Sequence, residues 1–346
     1  MGQPKFCVGL LGRPMHQSFY DTAAKYPVLE VVTGDLAKSE PEIAAMLTRC
    51  HGYYARAARD ELPRPWHVTA DFLGRFPQLL IVASYGAGYD TIDVDACTAA
   101  GVIVVNQAGG NAEGVAEHAL GMMLSLLKRI PEAHAQLRAG TLGARESLMG
   151  RELAGRTVGI VGLGHVGSRT AQLANAFGCT VLAVDPYLDA PTCTARGARK
   201  TDLAQVLAES DIVTVHCPLT RETRGMFGAA QYAAMRKGAL FISTARGSIH
   251  DEAALHAALM SGHLAGAGLD VWEKEPPAPA HPLLSHPAVM ESPHTAGVTH
   301  ESRERVARMA AEAFAIAATG NAPPRLLNPA AVERFTARWK QAFGGG

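Results

Sequence analysis

The stretch 157–186, TVGIVGLGHVGSRTAQLANAFGCTVLAVDP, constrains the fold of this chain more than any other. It opens with an apolar run at 158–161, bounded by turn residues, which is typical of a buried parallel strand. Three glycines in the pattern G-x-G-x-x-G follow this run: Gly162, Gly164 and Gly167. A helix that Gly178 can close is predicted next, with one apolar face formed by Val166, Thr170, Leu173 and Phe177. A second apolar strand at 180–184 then ends on Asp185.

Each part of this stretch has a role in binding a dinucleotide. The first glycine permits the strand-to-helix turn, the second lets backbone N–H groups approach a pyrophosphate, and the third lets helix and strand pack closely. The helix N-terminus, with the backbone of His165 and Val166, adds partial positive charge. Asp185 lies near the spacing of ~20 residues at which a carboxylate accepts hydrogen bonds from the adenosine ribose, and it would repel a 2′-phosphate. A glycine triplet alone is more often a loop, but this ordered combination predicts a Rossmann unit that binds NAD rather than NADP.

Length and charge limit the classes of partner. At 346 residues the chain is long enough for two domains. Its 32 basic and 32 acidic side chains give a net charge of zero, which argues against nucleic acid or an anionic membrane as the partner. No apolar run approaches the ~20 residues that a membrane span needs. Six cysteines without a C-x-x-C pair predict buried free thiols and a cytoplasmic location.

Alternating strand and helix patterns extend on both sides of 157–186 and predict an α/β protein. On the N-terminal side, strands are predicted at 6–11, 29–32, 79–83 and 102–105, and helices at 41–49 and 111–130. The residues 138–156 are polar and glycine-rich and are predicted to be a connector. On the C-terminal side, strands are predicted at 212–215, 239–243 and 266–269, and helices at 202–209, 228–235, 251–260, 301–319 and 328–343.

In an open doubly wound sheet, ligands bind outside the carboxyl ends of the strands. At or just beyond these ends the chain carries Asp185, His216, Arg246, Asp270, Glu275 and His294. Arg246 can hold a substrate carboxylate in a bidentate way and polarise the adjacent carbonyl. His294 can donate a proton to the carbonyl oxygen as it becomes an alcohol, and Glu275 would orient that imidazole and raise its pKa. The set predicts hydride transfer to or from a carbonyl group.

Six segments carry a family resemblance. They are GLGHVG (162–167) with Asp185, VNQAGGNAEGVAEHAL (105–120), VHCPLTRETRGMF (215–227), FISTARGSIHDEAAL (241–255), AGLDVWEKEPP (267–277) and SPHTAG (292–297). The sequence resembles the D-isomer-specific 2-hydroxyacid dehydrogenases over nearly its full length. The resemblance implies that Arg246, Glu275 and His294 are the three catalytic residues.

The same resemblance implies further contacts and an architecture. The substrate carboxylate would bind the loop Tyr85, Gly86, Ala87 and Gly88, and the nicotinamide carboxamide would lie near Asp270 and Ala245. Further cofactor contacts are expected from His216, Pro218, Thr223, Thr244, His294 and Gly297. We expect two Rossmann-like doubly wound domains, with an NAD domain (107–296) inserted into a discontinuous, flavodoxin-like substrate domain (1–106 and 297–346). A homodimer through the NAD domains is also implied.

The substrate is less well defined than the reaction. Glu275 stands where a formate dehydrogenase of this family would have Gln, which argues against that activity. Arg56 aligns with the arginine that faces the substrate phosphate in phosphoglycerate dehydrogenases of the family, and Arg59 lies close by; a solvated surface role explains either equally well. No room for an added regulatory domain is expected after residue 346. We therefore expect an unregulated short form acting on 3-phosphoglycerate, glycerate/hydroxypyruvate or a related small 2-hydroxy acid.

Several alternatives stay open at this point. Glu273 is the rival of Glu275, and Asp270 could serve only to cap the following turn. Among the histidines near the site, three match no motif and are interpreted as structural: His281, His286 and His300. His216 beside Cys217 invites a metal site, but no second ligand pair has suitable spacing, so no metal is expected. The alternative function is an NAD-sensing, corepressor-like binding protein of the same fold; S-adenosylhomocysteine hydrolase and alanine dehydrogenase do not explain the ordered segments.

Overall fold

The computed structural model of the protein describes residues 5–59 and 61–344. It contains two parallel β-sheets, each with helices from its own part of the chain. Contacts within the chain divide it into two units. The first unit runs to Asn111 and resumes at Thr299, and the second is Ala112–Val298. The predicted α/β class is confirmed.

The described residues form twelve strands and thirteen α-helices. The strands are β1 (Phe6–Leu11), β2 (Leu29–Gly34), β3 (Gly52–Ala55), β4 (Ile81–Ser84), β5 (Ile103–Val105), β6 (Thr157–Val161), β7 (Thr180–Val184), β8 (Arg199–Lys200), β9 (Ile212–Val215), β10 (Leu240–Ser243), β11 (Gly266–Leu269) and β12 (Val289–Glu291). The helices are α1 (Ser18–Ala23), α2 (Glu40–Leu47), α3 (Ala70–Arg75), α4 (Val94–Ala100), α5 (Ala112–Lys128), α6 (Ile130–Ala139), α7 (His165–Ala176), α8 (Ala190–Ala195), α9 (Leu203–Glu209), α10 (Ala229–Ala234), α11 (Glu252–Met260), α12 (His300–Ala318) and α13 (Val332–Phe343).

The first unit is built on a five-stranded parallel sheet in the order β2-β1-β3-β4-β5. This is the flavodoxin-like order, as predicted. The strands are short apolar runs, and every residue of β1 and β4 is buried, as expected for a parallel sheet covered on both faces. One face packs on α12 and α13, which contribute Phe314 and Phe335 to the core; both side chains are fully buried.

The second unit is built on a seven-stranded parallel sheet in the order β12-β11-β10-β9-β6-β7-β8. The strand order reverses between β6 and β9, which pair in parallel from Val158 with Ile212 to Val161 with Val215. A ligand crevice is expected outside the carboxyl ends of the strands at this reversal. The sheet order therefore directs attention to the turns that follow β6, β9, β10 and β11.

Two sequence predictions about helices of the second unit are correct only in part. The helix predicted at 111–130 ends at Lys128, because Arg129 adopts a left-handed conformation (φ +52°) and starts the helix α6, which the sequence patterns missed. The apolar face predicted for α7 is right at Thr170, which is buried, but the other buried residues of the helix are Gly167, Ala171 and Ala174, and Phe177 is exposed. Small side chains let α7 approach its neighbours closely.

Predictions about the state of the cysteines and about membrane-spanning helices were both made from the sequence. The six cysteines are free and buried, and none forms a disulfide within the described residues. In the part of the chain that the structure describes, no helix has the length and apolar character needed to cross a membrane.

Candidate active site

The three glycines after β6 differ in what surrounds them. Gly162 has φ +90°, and a Cβ there would lie 2.7 Å from the backbone nitrogen of Cys217. A Cβ on Gly167 would lie 2.1 Å from the carbonyl oxygen of Gly162, so helix and turn are packed backbone to backbone. A Cβ on Gly164 would meet nothing within 4 Å. The open space at the second glycine, beside the N-terminus of α7, fits the approach of a pyrophosphate to backbone N–H groups.

Asp185 follows β7 and is fixed beside this turn. Its Oδ2 accepts a hydrogen bond from the N–H of Leu163 at 3.0 Å, and its Oδ1 accepts one from the N–H of Tyr187 at 3.0 Å. The guanidinium of Arg196 donates to the carbonyl oxygen of Leu163 at 2.6 Å. The carboxylate is thus held in one orientation at the end of the strand, where the adenosine ribose of a dinucleotide binds in this fold.

His216 directly follows β9 and is neutral. Its Nε2 lies 3.0 Å from the hydroxyl of Thr214, and its Nδ1 lies 3.3 Å from the hydroxyl of Thr244. Burial lowers the pKa of His216 to about 3. In the loop that follows, the hydroxyl of Thr223 donates to the carbonyl oxygen of Pro218 at 2.6 Å and closes a turn. These predicted cofactor residues lie on adjoining loops at one edge of the sheet.

Arg246 lies beyond β10, next to a glycine that allows unusually close packing. A Cβ on Gly247 would be 1.9 Å from the carbonyl carbon of Trp272, so only glycine is accommodated between the two loops. Nη1 of Arg246 donates to the carbonyl oxygen of Ala245 at 2.7 Å. The charge of this guanidinium acts to lower the pKa of His294, which puts the two groups within electrostatic range of each other.

Glu275 and His294 form a hydrogen-bonded pair. Oε2 of Glu275 lies 2.7 Å from Nδ1 of His294, and Oε1 accepts a hydrogen bond from the N–H of Trp272 at 3.0 Å. The hydrogen bond that His294 donates to Glu275 raises the pKa of His294 above its ordinary 6.5, although burial opposes the shift. Burial acts to raise the pKa of Glu275, but the hydrogen bond and charge of His294 outweigh it, so the pKa of this carboxyl falls below 4.5. Because Nδ1 is engaged, Nε2 is the nitrogen of His294 that can exchange a proton with a substrate.

Asp270, at the end of β11, is almost fully buried and holds the turn that carries His294. Its Oδ1 accepts hydrogen bonds from the hydroxyl of Ser292 at 2.6 Å and from the N–H of Thr295 at 2.7 Å. Its Oδ2 accepts one from the N–H of Ala296 at 2.9 Å. The N–H of His294 donates to the carbonyl oxygen of Asp270 at 2.7 Å. The carboxylate therefore caps this turn, and its contact with a nicotinamide carboxamide stays a prediction.

The backbone of His294 is itself unusual, since its φ is +55°. A non-glycine residue pays an energetic cost for the left-handed region, and such residues are enriched at functional sites. The N–H groups of Thr295 and Ala296 donate to the carboxylate of Asp270, and these hydrogen bonds fix this conformation. Gly297 follows at the end of the same turn and is partly buried.

In the first unit, the loop at 85–88 has its carbonyl groups turned inward. The carbonyl oxygen of Gly86 accepts from the N–H of Gln107 at 2.9 Å, and that of Ala87 accepts from the side chain of Asn106 at 2.8 Å. The carbonyl oxygen of Gly88 accepts from the hydroxyl of Ser84. Since C=O and N–H of one peptide point in opposite directions, the N–H groups that follow these carbonyls point away from their inner partners. This is an arrangement that can receive a carboxylate.

Tyr85 requires a correction within that loop. Its N–H donates to the carbonyl oxygen of Ala55 at 2.8 Å, where it continues the pairing of β3 and β4, so it is not directed at a substrate. Its side chain is buried, and its hydroxyl donates to the carbonyl oxygen of Arg13 at 3.3 Å. The guanidinium of Arg56 lies 5.5 Å from the centre of the Tyr85 ring. The loop and Arg56 are therefore joined through this aromatic side chain.

Arg56 directly follows β3, at the same edge of the sheet. Nη2 comes close to Gly12, where a Cβ would lie 2.9 Å away. Nε of Arg56 is buried and has no hydrogen-bond partner among the described residues. The neighbouring Arg59 donates instead to the carbonyl oxygen of Asp90 at 3.0 Å. Arg56 therefore carries a buried donor atom that has no partner among the described residues.

The structure brings Glu275 to His294, whereas Glu273 is exposed and its carboxylate contacts neither His294 nor Arg246 in any described hydrogen bond or ion pair.

Two further residues near the pair of Glu275 and His294 were given no role from the sequence. The indole N–H of Trp272 donates to the carbonyl oxygen of Ser292 at 3.1 Å, and Nε2 of His118 lies 2.9 Å from the Ser292 hydroxyl. Ser292 belongs to the motif SPHTAG, but its contact with His118 of α5 joins residues far apart in sequence and could not be predicted from the motif.

A metal site is a further possibility that the sequence raised at His216. Both ring nitrogens of that histidine lie against threonine hydroxyls. Across 5–59 and 61–344, no group of three or more His, Cys, Asp or Glu side chains is arranged to hold a metal ion.

Comparison with known proteins decides the family. Residues 120–296 match the family model described as "D-isomer specific 2-hydroxyacid dehydrogenase, NAD binding domain". The chain belongs to the D-isomer specific 2-hydroxyacid dehydrogenase family. The predicted family is thus confirmed, and so is NAD as the cofactor, because the matched model is that of an NAD-binding domain.

Three members of this family illustrate the likeness. D-3-phosphoglycerate dehydrogenase of Bacillus subtilis is 40% identical over 82% of this chain and 52% of its own length. Glyoxylate reductase of Korarchaeum cryptofilum is 38% identical over 77% of this chain and 81% of its own. A D-lactate dehydrogenase from Aquifex aeolicus, solved with NAD and lactic acid, is 28% identical with a TM-score of 0.77, covering 91% of this chain and 96% of that one. The chain spans about half the length of the phosphoglycerate dehydrogenases that it matches.

Proposed function

We propose that this protein is an NAD-dependent D-2-hydroxyacid dehydrogenase, which transfers a hydride reversibly between NAD(H) and a small 2-hydroxy or 2-keto acid. The observation that carries the proposal is the 2.7 Å contact between Glu275 and Nδ1 of His294, with the charge of Arg246 acting on both. This arrangement provides an imidazolium that can give a proton and a guanidinium that can bind an acid.

The chain's own residues supply binding and proton transfer. NADH, when bound, supplies the hydride. Arg246 holds the carboxylate of the 2-keto acid and polarises its carbonyl, while Nε2 of His294 donates a proton to the carbonyl oxygen. Glu275 keeps His294 protonated for this step and accepts no proton itself. In the oxidative direction, the neutral imidazole of His294 takes the hydroxyl proton of the 2-hydroxy acid.

The proposed cofactor residues are those predicted from the sequence. Gly162, Gly164 and Gly167 would receive the pyrophosphate with the backbone of His165 and Val166. Asp185 would bind the adenosine ribose, and the nicotinamide end would contact residues on the loops after β9, β10, β11 and β12: His216, Pro218, Thr223, Thr244, Ala245, Asp270, His294 and Gly297. The open space at Gly164 supports this assignment.

For the substrate we propose 3-phosphoglycerate or glycerate/hydroxypyruvate. The inward-turned carbonyls of the loop at 85–88 support binding of a carboxylate to the N–H groups that follow Gly86, Ala87 and Gly88. The buried Nε of Arg56, which has no partner among the residues that the structure describes, supports a contact with a phosphate or a second polar group of the substrate. The names of the relatives, phosphoglycerate dehydrogenase and glyoxylate reductase, are compatible with either size of acid.

The test is oxidation of NADH in the presence of a panel of 2-keto acids, run beside NADPH. The panel comprises glyoxylate, hydroxypyruvate, pyruvate, 2-ketoglutarate and phosphohydroxypyruvate. Reduction of one acid with NADH preferred is the expected result, and loss of turnover by roughly 10²–10⁴-fold in His294→Ala, with NADH affinity retained, assigns the proton donor. If the phosphorylated acid is preferred, Arg56→Ala should remove that preference. Binding of NADH without reduction of any acid would contradict the proposed activity.

We also propose that the protein is a cytoplasmic homodimer that associates through the second unit. Large apolar side chains are exposed on α6 and on the segment after it, and α6 buries none of its own residues. These exposed side chains are Ile130 (53%), Leu137 (68%), Leu142 (48%) and Met149 (73%). Apolar side chains clustered on a surface are typical of protein interfaces. The six free cysteines support a reducing compartment.

Light scattering coupled to size-exclusion chromatography tests the dimer. The parent should elute at twice the chain mass of 36.5 kDa, and Leu137→Glu should dissociate it. Met260 is equally exposed but lies on α11, so Met260→Glu is the matched control that should leave the dimer intact. A parent protein that elutes as a monomer at micromolar concentration would contradict the proposal.

A further inference from the structure

We propose that Glu252 and His281 act as positioning residues for the catalytic carboxylate, by fixing the peptide between Trp272 and Glu273. The proposal rests on the proposed function for its consequence in catalysis. Sequence patterns gave Glu252 no role and classed His281 as structural. The structure joins both to the loop that carries Glu275.

Glu252 is the first residue of α11 and is 9% exposed. One carboxylate oxygen, Oε1, accepts a hydrogen bond from the N–H of Glu273 at 2.6 Å. The other, Oε2, lies 3.0 Å from Nε2 of His281. A carboxylate this deeply buried must be hydrogen-bonded, and each of its oxygens has found a donor outside α11.

The tautomer of His281 follows from its other contact. The N–H of Leu283 donates to Nδ1 of His281 at 3.3 Å, so Nδ1 is an acceptor and carries no proton. Nε2 therefore carries the hydrogen and donates it to Glu252. A chain of three hydrogen bonds runs from the N–H of Leu283 through His281 and Glu252 to the N–H of Glu273, and every donor in it is matched with an acceptor.

The end of this chain lies beside the catalytic pair. The N–H of Trp272 donates to Oε1 of Glu275, and the next N–H, that of Glu273, donates to Glu252. Two consecutive N–H groups are thus held by two different carboxylates. The dihedral angles on either side of the peptide between Trp272 and Glu273 set the path of the chain from the N–H of Trp272 to Glu275, so a fixed peptide keeps the Glu275 carboxylate at the N–H that orients it.

The peptide between Trp272 and Glu273 is also in contact with the loop that carries Arg246. The Trp272 ring packs edge-on against His281, with 5.6 Å between ring centres. A Cβ on Gly247 would lie 2.0 Å from the Trp272 carbonyl oxygen and 2.4 Å from the Glu273 nitrogen, so the loop of Arg246 is packed directly on the same peptide. Glu252 and His281 thus support both the carboxylate that orients His294 and the backbone next to Arg246.

Substitutions at the two positions separate positioning from bulk stability. Glu252→Gln keeps the shape but offers one acceptor and one donor, so its amide cannot satisfy the N–H of Glu273 and Nε2–H of His281 together. His281→Ala removes both hydrogen bonds of the ring and its packing against Trp272. His281→Gln retains an N–H donor for Glu252 and is the conservative variant that should rescue. His286→Gln is the matched control, because Nδ1 of His286 accepts the N–H of Ala288 in the same way, but the ring lies against His256.

The primary measurement is the pKa of His294, followed by nuclear magnetic resonance of the full-length protein with NADH present. We expect Glu252→Gln and His281→Ala to shift the pKa of His294 downward, because Glu275 loses its fixed orientation, while His281→Gln and His286→Gln leave it near the parent value. In the reductive direction, the alkaline limb of the pH profile should shift the same way, with kcat lowered roughly threefold to tenfold above neutral pH. NADH affinity should be unchanged in all four variants.

The outcomes for the positioning role and for the proposed activity are distinct. An unchanged pKa of His294 in a folded Glu252→Gln protein, with keto-acid reduction intact in the parent, overturns the positioning role. Failure of the parent to reduce any 2-keto acid overturns the activity, while a shifted pKa of His294 would still support the positioning. If Glu252→Gln does not fold, the comparison of His281→Ala with His281→Gln decides, and equal pKa values in the two would overturn the positioning role.

Discussion

His294 and Glu275 each change the other's affinity for protons, and the direction of both changes suits a proton donor near neutral pH. The hydrogen bond to Glu275 raises the pKa of His294, and His294 holds the pKa of Glu275 down against the effect of burial. The imidazole is thereby charged and the carboxylate ionised over a common range of pH. Arg246 opposes the charging of His294, and the carboxylate outweighs it.

The pH dependence of the reductive reaction follows from that balance. Reduction needs the protonated imidazole, so kcat/KM for the keto acid should be level at low pH and fall as the pH rises through the pKa of His294, which is above 6.5. In Glu275→Gln the raising interaction is lost and burial remains, so this fall should begin at lower pH. Initial rates at saturating NADH from pH 5 to 10 give the comparison. Superimposable profiles for the parent and the variant would contradict the assignment of Glu275.

Asp185 is the residue expected to select NADH over NADPH. Its carboxylate is held by the N–H groups of Leu163 and Tyr187, so it cannot turn away from a 2′-phosphate. Asp185→Ala should reduce the preference for NADH by about 10–100-fold, which corresponds to about 1–3 kcal/mol of removed repulsion. The measured quantity is the ratio of kcat/KM for NADH and NADPH. A variant that rejects NADPH as strongly as the parent would rule out this role.

At the scale of elements, the glycine turn between β6 and α7 separates folding from binding. Gly167→Ala would push a methyl group against the Gly162 carbonyl, 2.1 Å away, and should cost about 1–3 kcal/mol of stability through overpacking. Gly164→Ala places its methyl in open space, so the melting temperature should be unchanged while NADH binds more weakly. Thermal melting and titration of NADH fluorescence distinguish the two effects. Equal losses of stability in both variants would contradict this division of roles.

The elements that the sequence predicted well are those with a strong local signal. The glycine turn and the strands β6 and β7 have periodic apolar runs and turn residues that mark their ends, and the set of side chains at the strand ends follows from them. Helix α6 was missed because it depends on the left-handed conformation of Arg129, for which side-chain patterns give no signal. The chain from His281 through Glu252 to Glu273 was also missed, because it joins residues that are far apart in sequence and match no motif.

Local patterns also failed where backbone groups decide the role of a residue. The N–H of Tyr85 was expected to face a substrate, but the pairing of β3 with β4 extends by one residue and uses it. The buried face of α7 is formed by small residues rather than by the larger apolar ones, of which Phe177 stays 43% exposed. In both cases the tertiary packing of the backbone overrides what the side chains suggest.

At the scale of the whole molecule, the ion pair of His294 and Glu275 should stabilise the folded protein most within a limited range of pH. A group whose pKa is raised in the folded state stabilises fully below its ordinary pKa, so the contribution of His294 is complete below 6.5 and is lost as pH rises through its folded value. The contribution of Glu275 is complete above 4.5 and is lost as pH falls through its lowered value. The difference in melting temperature between parent and Glu275→Gln should therefore be largest between pH 4.5 and 6.5.

The size of that difference should be modest. The side chain of His294 is 37% exposed, so solvent screens the pair and its contribution should stay below about 1 kcal/mol. Scanning calorimetry of both proteins in steps of pH measures it, with His286→Gln as a variant in which this pH dependence is retained. A difference that is constant from pH 4 to 9 would contradict the coupling of the two groups.

The way the first unit is divided along the chain has a consequence for biosynthesis. Its sheet is complete once β5 has been made, but α12 and α13, which cover one face with Phe314 and Phe335, follow the whole of the second unit. A ribosome adds about 5–20 residues per second, so the apolar face of that sheet stays uncovered for about ten seconds or more before α12 and α13 have been made. The second unit is one continuous segment, so all of its residues have been made before α12 begins. The nascent chain therefore completes the nucleotide-binding half first and depends on its last helices, or on a chaperone, to protect the half that was begun earlier.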